Sequence, residues 1–387
     1  MNKKVNIKVL LLTLLCFFSL QPWITWQINT KITFFIGLSY ILYSINNFKL
    51  RYYKSLLIII IIIYFLFLNT LVNANLWRML ACAIIFLFIY INETDEIKLK
   101  TFLKIRSIIA YVYLIGIPIF LIISFTNIIH PIGIIQGRSI SIPAYYNFIF
   151  YIKNVYSEPL ILSRFNSIFD EPGVVGNLSF FLLLFNSFKL NNWKYIVILI
   201  GGLLSFSLFF YVASISCLIL LNLKTLKDLI YFVSLMIFLG YLLNNNEYVN
   251  NYLIDRLQII NGKLSGDNRT TEIWDIQYKK YLQSNKIYFG AGDSSYKKYQ
   301  DLYGYDVASY QLLVYKYGVI GFFIFLIFFL MIFYHKNNKS ISLIAFIAFL
   351  MAIYQRPWEF EYYYSIIFLS GIVHLKNIKG NTNNNSI

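Results

Sequence analysis

Long apolar runs recur along the whole chain, and they constrain its fold more than any other feature. A helix needs about 20 apolar residues to cross the roughly 30 Å of hydrocarbon in a bilayer. Runs near that length predict twelve membrane-spanning helices, at 8–26, 31–48, 55–73, 76–92, 106–129, 173–188, 193–207, 208–223, 227–243, 309–334, 340–355 and 361–375. The stretch 193–223 is predicted to be a hairpin, with a tight turn near Gly201, Gly202 and the run from Ser205 to Ser207.

The composition agrees with a membrane protein. Hydrophobic residues make up 59% of the 387 residues and charged residues only 13%, against about 25% charged in an ordinary soluble domain. A soluble monomer of this length could not bury so much apolar surface. We therefore expect an all-α, polytopic integral membrane protein, with about twelve transmembrane helices and two long outer-face loops that contain short helices.

The positions of the basic residues predict the orientation of the chain. Short loops rich in Lys and Arg stay in the cytoplasm, and every second short loop of this chain is rich in them. The short loops between carry little beyond Lys31, Arg78 and Arg356. Both termini are therefore predicted to be cytoplasmic. The formal charge of +16 is a topology signal on this interpretation, and it does not call for a nucleic-acid partner.

This topology divides the chain into six segments. They are helices 1–5 in 1–129, a first outer loop at 130–172, helices 6–9 in 173–243, a second outer loop at 244–308, helices 10–12 in 309–375, and a cytoplasmic tail at 376–387. The polar end of the tail, Asn381–Ile387, is predicted to be disordered.

Sites that hold metals or nucleotides are not predicted. Cys16, Cys82 and Cys217 lie far apart in apolar runs, so they offer neither a disulfide framework nor a zinc site. The chain also lacks an Asp-x-Asp pair and a P-loop. We expect no cofactor.

The two outer loops are unusually long and basic. Loops longer than about 15 residues are uncommon unless they are functional or disordered. Their basic residues are Arg138, Lys153, Arg164, Arg256, Lys263, Arg269, Lys279, Lys280, Lys286, Lys297 and Lys298. Most can be explained by a solvated surface or by lipid headgroups. Arginine grips phosphate bidentately, which favours Arg164 and Arg269 as anion-binding residues.

Helical spacing of apolar residues appears twice in the second outer loop. Val249, Leu253, Leu257 and Ile260 share one face, and Trp274, Tyr278 and Tyr281 share another. Two interpretations remain open, because such helices can belong to a folded outer domain or can simply lie on the membrane surface.

A polar segment leads from the first outer loop into an apolar run. Residues 163–173 read Ser-Arg-Phe-Asn-Ser-Ile-Phe-Asp-Glu-Pro-Gly. Asp170 or Glu171 can cap a helix whose first turn holds Pro172. The same carboxylates and Arg164 can also form a polar site beside a helix N-terminus that receives an anion. The sequence allows both roles together.

This segment resembles the Arg…Glu-Pro-Gly segment of the O-antigen polymerase (Wzy) and O-antigen ligase superfamily, bacterial enzymes that handle undecaprenyl-diphosphate-linked glycans. Residues 266–269 (Gly-Asp-Asn-Arg) followed by Trp274 are similar to its Gly-Arg…Trp segment. Residues 289–292 resemble its Gly-x-Gly turn, and residues 317–321 its Glu-x-Gly-Ile-x-Gly segment. Ligases carry a His-Asn pair where 308–311 read Ala-Ser-Tyr-Gln, which favours the polymerase branch.

The resemblance implies a glycosyltransferase that joins lipid-linked glycan repeat units at the outer face of the bacterial cytoplasmic membrane. Arg164 and Arg269 would stabilise the departing diphosphate. Glu171 would act as general base, with Asp170 as the second choice. The candidate substrate-binding residues are Asp170, Arg138, Asn268, Trp274, Tyr278, Gly290 and Gly292.

Outer-loop aromatic residues have two possible roles. Tyr145, Tyr146, Trp274 and Tyr278 could stack on sugar faces, although packing is the commoner use of such rings. The implied partners are undecaprenyl-diphosphate-linked glycans and membrane lipids, with a chain-length regulator protein as a further candidate.

Three other functions remain alternatives. They are an O-antigen ligase or related transferase, a lipid-linked glycan flippase, and a docking protein whose basic loops bind a protein partner. A flippase should place polar residues along a path inside its spans. The predicted spans are nearly free of charges, which favours an enzyme that works at the outer surface.

Overall fold

A computed structural model describes most of the chain. The described residues are 3–26, 29–46, 48–50, 74–126, 128–139, 142–155, 164–222, 259–260, 263–264, 270–303, 307, 309–334, 339–355 and 361–384. This part of the chain is mostly helical. It separates into two compact units: unit 1 comprises Met1–Ile105 and Arg269–Ile387, and unit 2 comprises Arg106–Asn268. The predicted spans 55–73 and 227–243 lie outside the described residues.

The helices and strands follow one another in this order. In the first half of the chain they are α1 (Lys3–Ser19), α2 (Asn29–Ile45), α3 (Ala74–Ile91), α4 (Asp95–Thr126), β1 (Gly133–Ser139), β2 (Ile142–Asn147) and β3 (Ile152–Asn154). The remainder are α5 (Pro172–Leu184), α6 (Trp193–Leu204), α7 (Leu208–Asn222), β4 (Ile259–Ile260), β5 (Lys263–Leu264), α8 (Glu272–Leu282), α9 (Asp293–Tyr303), α10 (Tyr310–Phe333), α11 (Lys339–Gln355) and α12 (Tyr362–Asn384).

Every predicted span that falls within the described residues coincides with a helix. Two of the twelve predicted spans are not described, and each of the other ten matches one of α1–α7 or α10–α12. The hairpin at 193–223 is confirmed, because α6 and α7 are separated by a turn at 205–207. Gly201 and Gly202 lie inside α6 rather than in the turn. Helicity at these positions therefore follows from the apolar runs.

Two helices of the described chain are long and apolar enough to cross a membrane, Asp95–Thr126 and Tyr310–Phe333. In α10 the apolar residues Ile320, Phe323 and Ile327 are exposed at helical spacing. A helix on the surface of a water-soluble protein carries polar residues on such a face. A continuous exposed apolar face therefore favours contact with lipid.

The segment predicted to be the first outer loop contains a β-sheet, which corrects the expectation of an all-α protein. Strands β1, β2 and β3 form an antiparallel sheet in that order, with Gly133 opposite Asn147 and Tyr145 opposite Asn154. Ile, Tyr and Phe are frequent in this segment, and these residue types favour strands. The apolar content of the loop was apparent from the sequence, but its pairing into a sheet was not predicted.

The C-terminal helix also differs from the prediction. Helix α12 runs from Tyr362 to Asn384, so residues 381–384 of the tail predicted to be disordered are helical. Asn is a poor helix former, which is why the Asn-rich sequence favoured disorder.

A buried ion pair joins three segments of unit 1. Lys8 on α1 donates to Oε1 of Glu93, which follows α3, and both residues are buried. The hydroxyl of Tyr40 on α2 donates to the same oxygen at 3.1 Å. A buried charge is tolerated only when it is paired and hydrogen-bonded, so Glu93 fixes α1 and α2 against the end of α3.

Contacts at both ends of α1 agree with the predicted alternation of helix directions. The N-terminal part of α1 meets the C-terminal end of α3 through the pair of Lys8 and Glu93. At its other end, Ser19 donates to Glu361 at 3.1 Å and accepts from the amide of Tyr363 at 3.2 Å. Helix α1 is therefore antiparallel to α12, as the predicted even number of spans requires.

We predict that Glu93→Ala destabilises the protein by about 3 kcal/mol or more, because the Lys8 ammonium is left buried without its carboxylate. Unfolding of the purified chain in detergent measures the loss. The matched control is Glu96→Ala, which removes the carboxylate of the more exposed pair with Lys100. Such pairs contribute up to about 1 kcal/mol, so similar losses for the two variants would contradict the structural role of Glu93.

Candidate functional site

Arg164 lies at the C-terminal end of helix α6 in unit 2. Its Nε donates to the carbonyl oxygen of Ser205 at 3.1 Å, and Ser205 is the C-cap residue of α6. The next backbone amide, that of Phe165, donates to the carbonyl of Leu204 at 3.0 Å. A cation near the last carbonyl groups of a helix is stabilised by the helix dipole. Part of the role of Arg164 is therefore to close the end of α6.

The turn between α6 and α7 also packs closely against α5. A Cβ atom added at Gly176 of α5 would collide with the side chain of Ser207. Ser205 is itself fully buried, and its hydroxyl donates to the carbonyl of Gly202 at 2.6 Å. The absence of a side chain at Gly176 thus lets α5 approach the segment that holds Arg164.

The segment from Arg164 to Glu171 follows a tight, buried path. Ser167 has a positive φ of 54°, which non-glycine residues adopt rarely. Its carbonyl accepts from the amide of Ile152 on β3 at 2.9 Å. The amide of Phe169 donates to the carbonyl of Asn166 at 3.1 Å. Strand β3 therefore fixes the bend that separates the arginine from the carboxylates.

Glu171 occupies the N-cap position of α5, and Pro172 begins the helix. This arrangement was one of the two interpretations of the sequence. However, the Glu171 side chain makes no capping hydrogen bond, so its carboxylate does not serve as the cap. A carboxylate beside a helix N-terminus is still favoured by the helix dipole.

Tyr145 on β2 joins the sheet to the acidic pair. Its hydroxyl donates to the backbone carbonyl of Asp170 at 2.9 Å. Burial, and then the charges of Asp170 and Glu171, raise the pKa of Tyr145 above its usual value. The phenol therefore stays protonated at neutral pH and acts as a donor. Because the ring is only 2% exposed, Tyr145 packs in this structure and does not offer a face to a sugar.

A second group of motif residues lies in unit 1 and forms an aromatic cluster. Its buried members are Trp274, Tyr281, Tyr296, Tyr299, Val307, Val314 and Tyr315. Helices α8 and α9 contribute the first four of these residues, and the N-terminal part of α10 contributes the last two. The shared face of Trp274, Tyr278 and Tyr281 is thus explained by packing within a folded segment. The other predicted face lies almost wholly outside the described residues, which include only Ile260 of its four members.

Trp274 is at the centre of this aromatic cluster. It is fully buried, and its Nε1 donates to Oε1 of Gln311 at 2.7 Å. The ring of Tyr278 stacks on it with centroids 6.1 Å apart. Trp274 is therefore a packing residue in this structure, whereas the partly buried Tyr278 retains an accessible surface. Burial, and then the interaction with Tyr310, raise the pKa of Tyr278 to about 12.

The Gly-x-Gly turn packs against a break in helix α10. Gly318 has φ 72° and ψ 173°, which interrupts the helix, and Gly290 has φ 91°. The amide of Ala291 donates to the carbonyl of Tyr315 at 2.7 Å, and that of Ile320 to the carbonyl of Tyr288 at 3.2 Å. The two segments that resemble separate family motifs are therefore in direct backbone contact.

These contacts give the two glycines of the turn a structural role. A Cβ atom at Gly290 would collide with the carbonyl of Lys316. Gly292 also has a positive φ of 80°, and its amide donates to that same carbonyl at 3.3 Å. Gly290 and Gly292 were predicted to bind substrate, and the observed contacts show how they support α10. Both motifs can be found in the sequence, but the sequence does not show that they contact each other.

The remaining candidate residues are Arg138, Asn268 and Arg269. Asn268 and Arg269 lie outside the described residues, and the backbone of Arg138 is placed in β1. No group of three or more His, Cys, Asp or Glu residues that could hold a metal occurs in the part of the chain that the structure describes. The structure thus describes two groups of candidate residues: Arg164, Asp170 and Glu171 in unit 2, and the aromatic cluster in unit 1.

No family model, no curated protein and no solved structure matches the chain. The resemblance to the O-antigen polymerase and ligase superfamily therefore remains a prediction that rests on the motifs themselves.

We predict that Gly318→Ala and Gly290→Ala each destabilise the protein by about 2 kcal/mol or more, because both need a left-handed backbone and would drive a Cβ atom into main-chain atoms. Accumulation in membranes and unfolding in detergent measure the effect. Gly133→Ala is the control, since a Cβ atom there meets nothing within 4 Å. Equal stability of all three variants would rule out a required backbone contact.

Proposed function

We propose that the chain is a polysaccharide repeat-unit polymerase of the bacterial cytoplasmic membrane. It would be a polytopic glycosyltransferase with about twelve spans that joins undecaprenyl-diphosphate-linked oligosaccharides at the outer face. The observation that carries the proposal is the short buried segment that holds Arg164 at one end and Asp170 and Glu171 at the other. An anion-binding cation and a hydroxyl-orienting carboxylate are the two groups that this transfer needs.

The group that most needs stabilisation in this reaction is the departing diphosphate. The growing glycan is transferred from its lipid diphosphate to a hydroxyl of the incoming repeat unit, and negative charge develops on the departing diphosphate. A fixed cation stabilises that charge without reorganising during the reaction. Arg164 fits this role because the hydrogen bond from its Nε to the Ser205 carbonyl fixes the position of the guanidinium. Arg269 is proposed as a second cation on the resemblance alone.

The attacking hydroxyl needs a carboxylate that orients it and accepts its proton. Glu171 is the first choice on the resemblance, and it stands at the N-cap position of α5, where the helix dipole favours a carboxylate. Tyr145 is unsuited to the role of base, since its raised pKa keeps the phenol protonated. Asp170 remains the second choice. Its backbone carbonyl is held by Tyr145, which fixes the position of the acidic pair relative to the sheet.

Three observations support the membrane part of the proposal. Two helices are long and apolar enough to cross a bilayer. The exposed face of α10, with Ile320, Phe323 and Ile327, is apolar, whereas the exposed face of a helix in a water-soluble protein would be polar. The contacts at the two ends of α1 agree with alternating helix directions.

We predict that Arg164→Ala abolishes long glycan chains while single repeat units persist. The size ladder of glycans from cells that carry each variant measures this outcome. Lys153→Ala is the matched control, because Lys153 is a basic residue of the same outer loop on β3; it should leave the ladder unchanged. Membrane accumulation of each variant is measured in parallel.

Arg164→Lys separates the chemistry from the structural role of the arginine. A lysine retains the positive charge near Ser205 but lacks the planar fork that grips phosphate. We expect this variant to accumulate normally and still to produce shortened chains. Normal long chains from both arginine variants would refute the site assignment. In cells that lack the whole chain, accumulation of lipid-linked polymer would indicate a ligase, and loss of all outward-facing repeat units a flippase.

A further inference from the structure

Within unit 2, helices α4 and α6 contact each other and run in the same direction. Near the start of α6, Nη1 of Arg106 on α4 donates to the hydroxyl of Tyr195 at 3.3 Å. About two turns further along both helices, a Cβ atom added at Gly201 would collide with the ring of Tyr113. Both helices are predicted to begin their crossing at the cytoplasmic face. The contact between Arg106 and Tyr195 therefore lies at the predicted cytoplasmic end of the helix pair.

Two basic side chains bridge the helices at this end. Nζ of Lys194 on α6 donates to Oγ of Ser107 on α4 at 2.8 Å. In the opposite direction, the guanidinium of Arg106 reaches α6, where its Cζ lies over the ring of Tyr195 at 5.0 Å from the centroid. Both basic side chains are only partly buried. Their partners across the helix pair are neutral groups, which hold the two cations in place without neutralising them.

No carboxylate pairs with these two cations in the described part of the chain. Residues 106–126 and 186–207 contain neither Asp nor Glu, and the ion pairs among the described residues are formed by Lys8 and Lys100. The Nε of Arg106 is buried and has no hydrogen-bond partner among those residues. A partly buried cation is stabilised by a nearby anion. An anion from outside the protein can supply that stabilisation here.

Two exposed aromatic rings lie beside Lys194. The rings of Tyr111 and Trp193 meet edge to face with centroids 5.5 Å apart, and Nζ of Lys194 lies 5.5 Å and 5.7 Å from those centroids. Tyr111 is 52% exposed and Trp193 is 43% exposed. Tyr and Trp are enriched where a bilayer meets water. The rings therefore favour a position for Lys194 at the level of the lipid headgroups.

An exposed apolar face continues from these rings along both helices. On α6, Ile196, Ile200 and Leu203 follow Trp193 at helical spacing and are all exposed. On α4, Ile122 lies two turns beyond Ile115, and both are exposed. Such a face favours contact with acyl chains. The helix pair thus combines a basic end with an apolar face, and a phospholipid has the complementary two parts.

We propose that Arg106 and Lys194 bind the phosphate of an anionic phospholipid at the cytoplasmic face. The guanidinium grips a phosphate with its planar fork, and the ammonium binds it as a point charge. Basic pockets between membrane helices on the cytoplasmic side are suited to anionic headgroups, because the lipids of that leaflet carry negative charge. The proposed glycan transfer takes place at the outer face, so this site is separate from it and does not depend on polymerase activity.

Lipid binding to the purified full chain tests the proposal. The protein is placed in nanodiscs of zwitterionic lipid that contain increasing amounts of phosphatidylglycerol, and the phosphatidylglycerol retained on the protein is measured. We expect Lys194→Met to weaken this binding about fivefold or more, because one basic residue at the membrane surface is lost. Lys194→Arg retains the charge and should stay within about threefold of the unaltered protein.

Lys189→Met is the matched control, because Lys189 is an exposed lysine of the same predicted cytoplasmic loop. It removes the same charge, and its binding should not change. Unchanged affinity in Lys194→Met would overturn the proposal. Equal losses in the two methionine variants would overturn it as well, because the net charge of the cytoplasmic face would then explain the binding. If Lys194→Met does not fold, Lys194→Gln replaces it, with the same fivefold loss expected and unchanged affinity equally decisive.

Competition identifies the source of the phosphate group. We expect phosphatidylglycerol to remain bound in the presence of equal amounts of inorganic phosphate or of a short-chain polyprenyl diphosphate. Displacement by inorganic phosphate would mean that the site recognises phosphate without a lipid. Displacement by the polyprenyl diphosphate in the unaltered protein but not in Lys194→Met would make the lipid-linked diphosphate the ligand. Either displacement would contradict the assignment to a phospholipid.

Discussion

The pairing of backbone groups at helix ends is the constraint on which the described structure depends. In an apolar interior an unpaired N–H or C=O group is costly, because water cannot replace the lost hydrogen bond. The end of α6 meets this requirement through Arg164 and the amide of Phe165, which donate to its last carbonyl groups. The break in α10 meets it through the turn at 289–292, whose amides donate to the carbonyls before Gly318.

Each of these closures carries a positive charge to a defined place. In unit 2 the group that closes α6 is itself a cation, the guanidinium of Arg164. In unit 1 the carbonyl that receives the Gly292 amide belongs to Lys316, whose ammonium rests on Tyr296. The guanidinium of Arg164 is held by its hydrogen bond to a backbone carbonyl, so it would need little rearrangement to bind an anion. Preorganised cations of this kind are what a reaction with a diphosphate leaving group requires.

The sequence predicts the parts of this structure that local patterns determine. Apolar runs located the helices, and the run from Ser205 to Ser207 located the turn of the hairpin, because burial and turn preference act over a few residues. The sheet β1–β3 and the full burial of Trp274 depend on which distant segments pack together. The pairing of Gly290 with Gly318 is of the same kind. Short motifs drew attention to Trp274, Gly290 and Gly318 as candidate functional residues. They could not show that the motifs of Gly290 and Gly318 contact each other.

A single residue can serve both the fold and the proposed chemistry. Arg164 closes α6 and is the proposed partner of the diphosphate, so its removal affects both the helix end and the charge. The helix end uses Nε, and the proposed phosphate recognition uses the planar fork to which Nε belongs, so the two roles fall on the same group. Gly290 and Gly318, by contrast, contribute to the fold through contacts between backbone atoms. The loss of either glycine would therefore affect the fold, whereas the loss of the arginine would affect the fold and the proposed chemistry together.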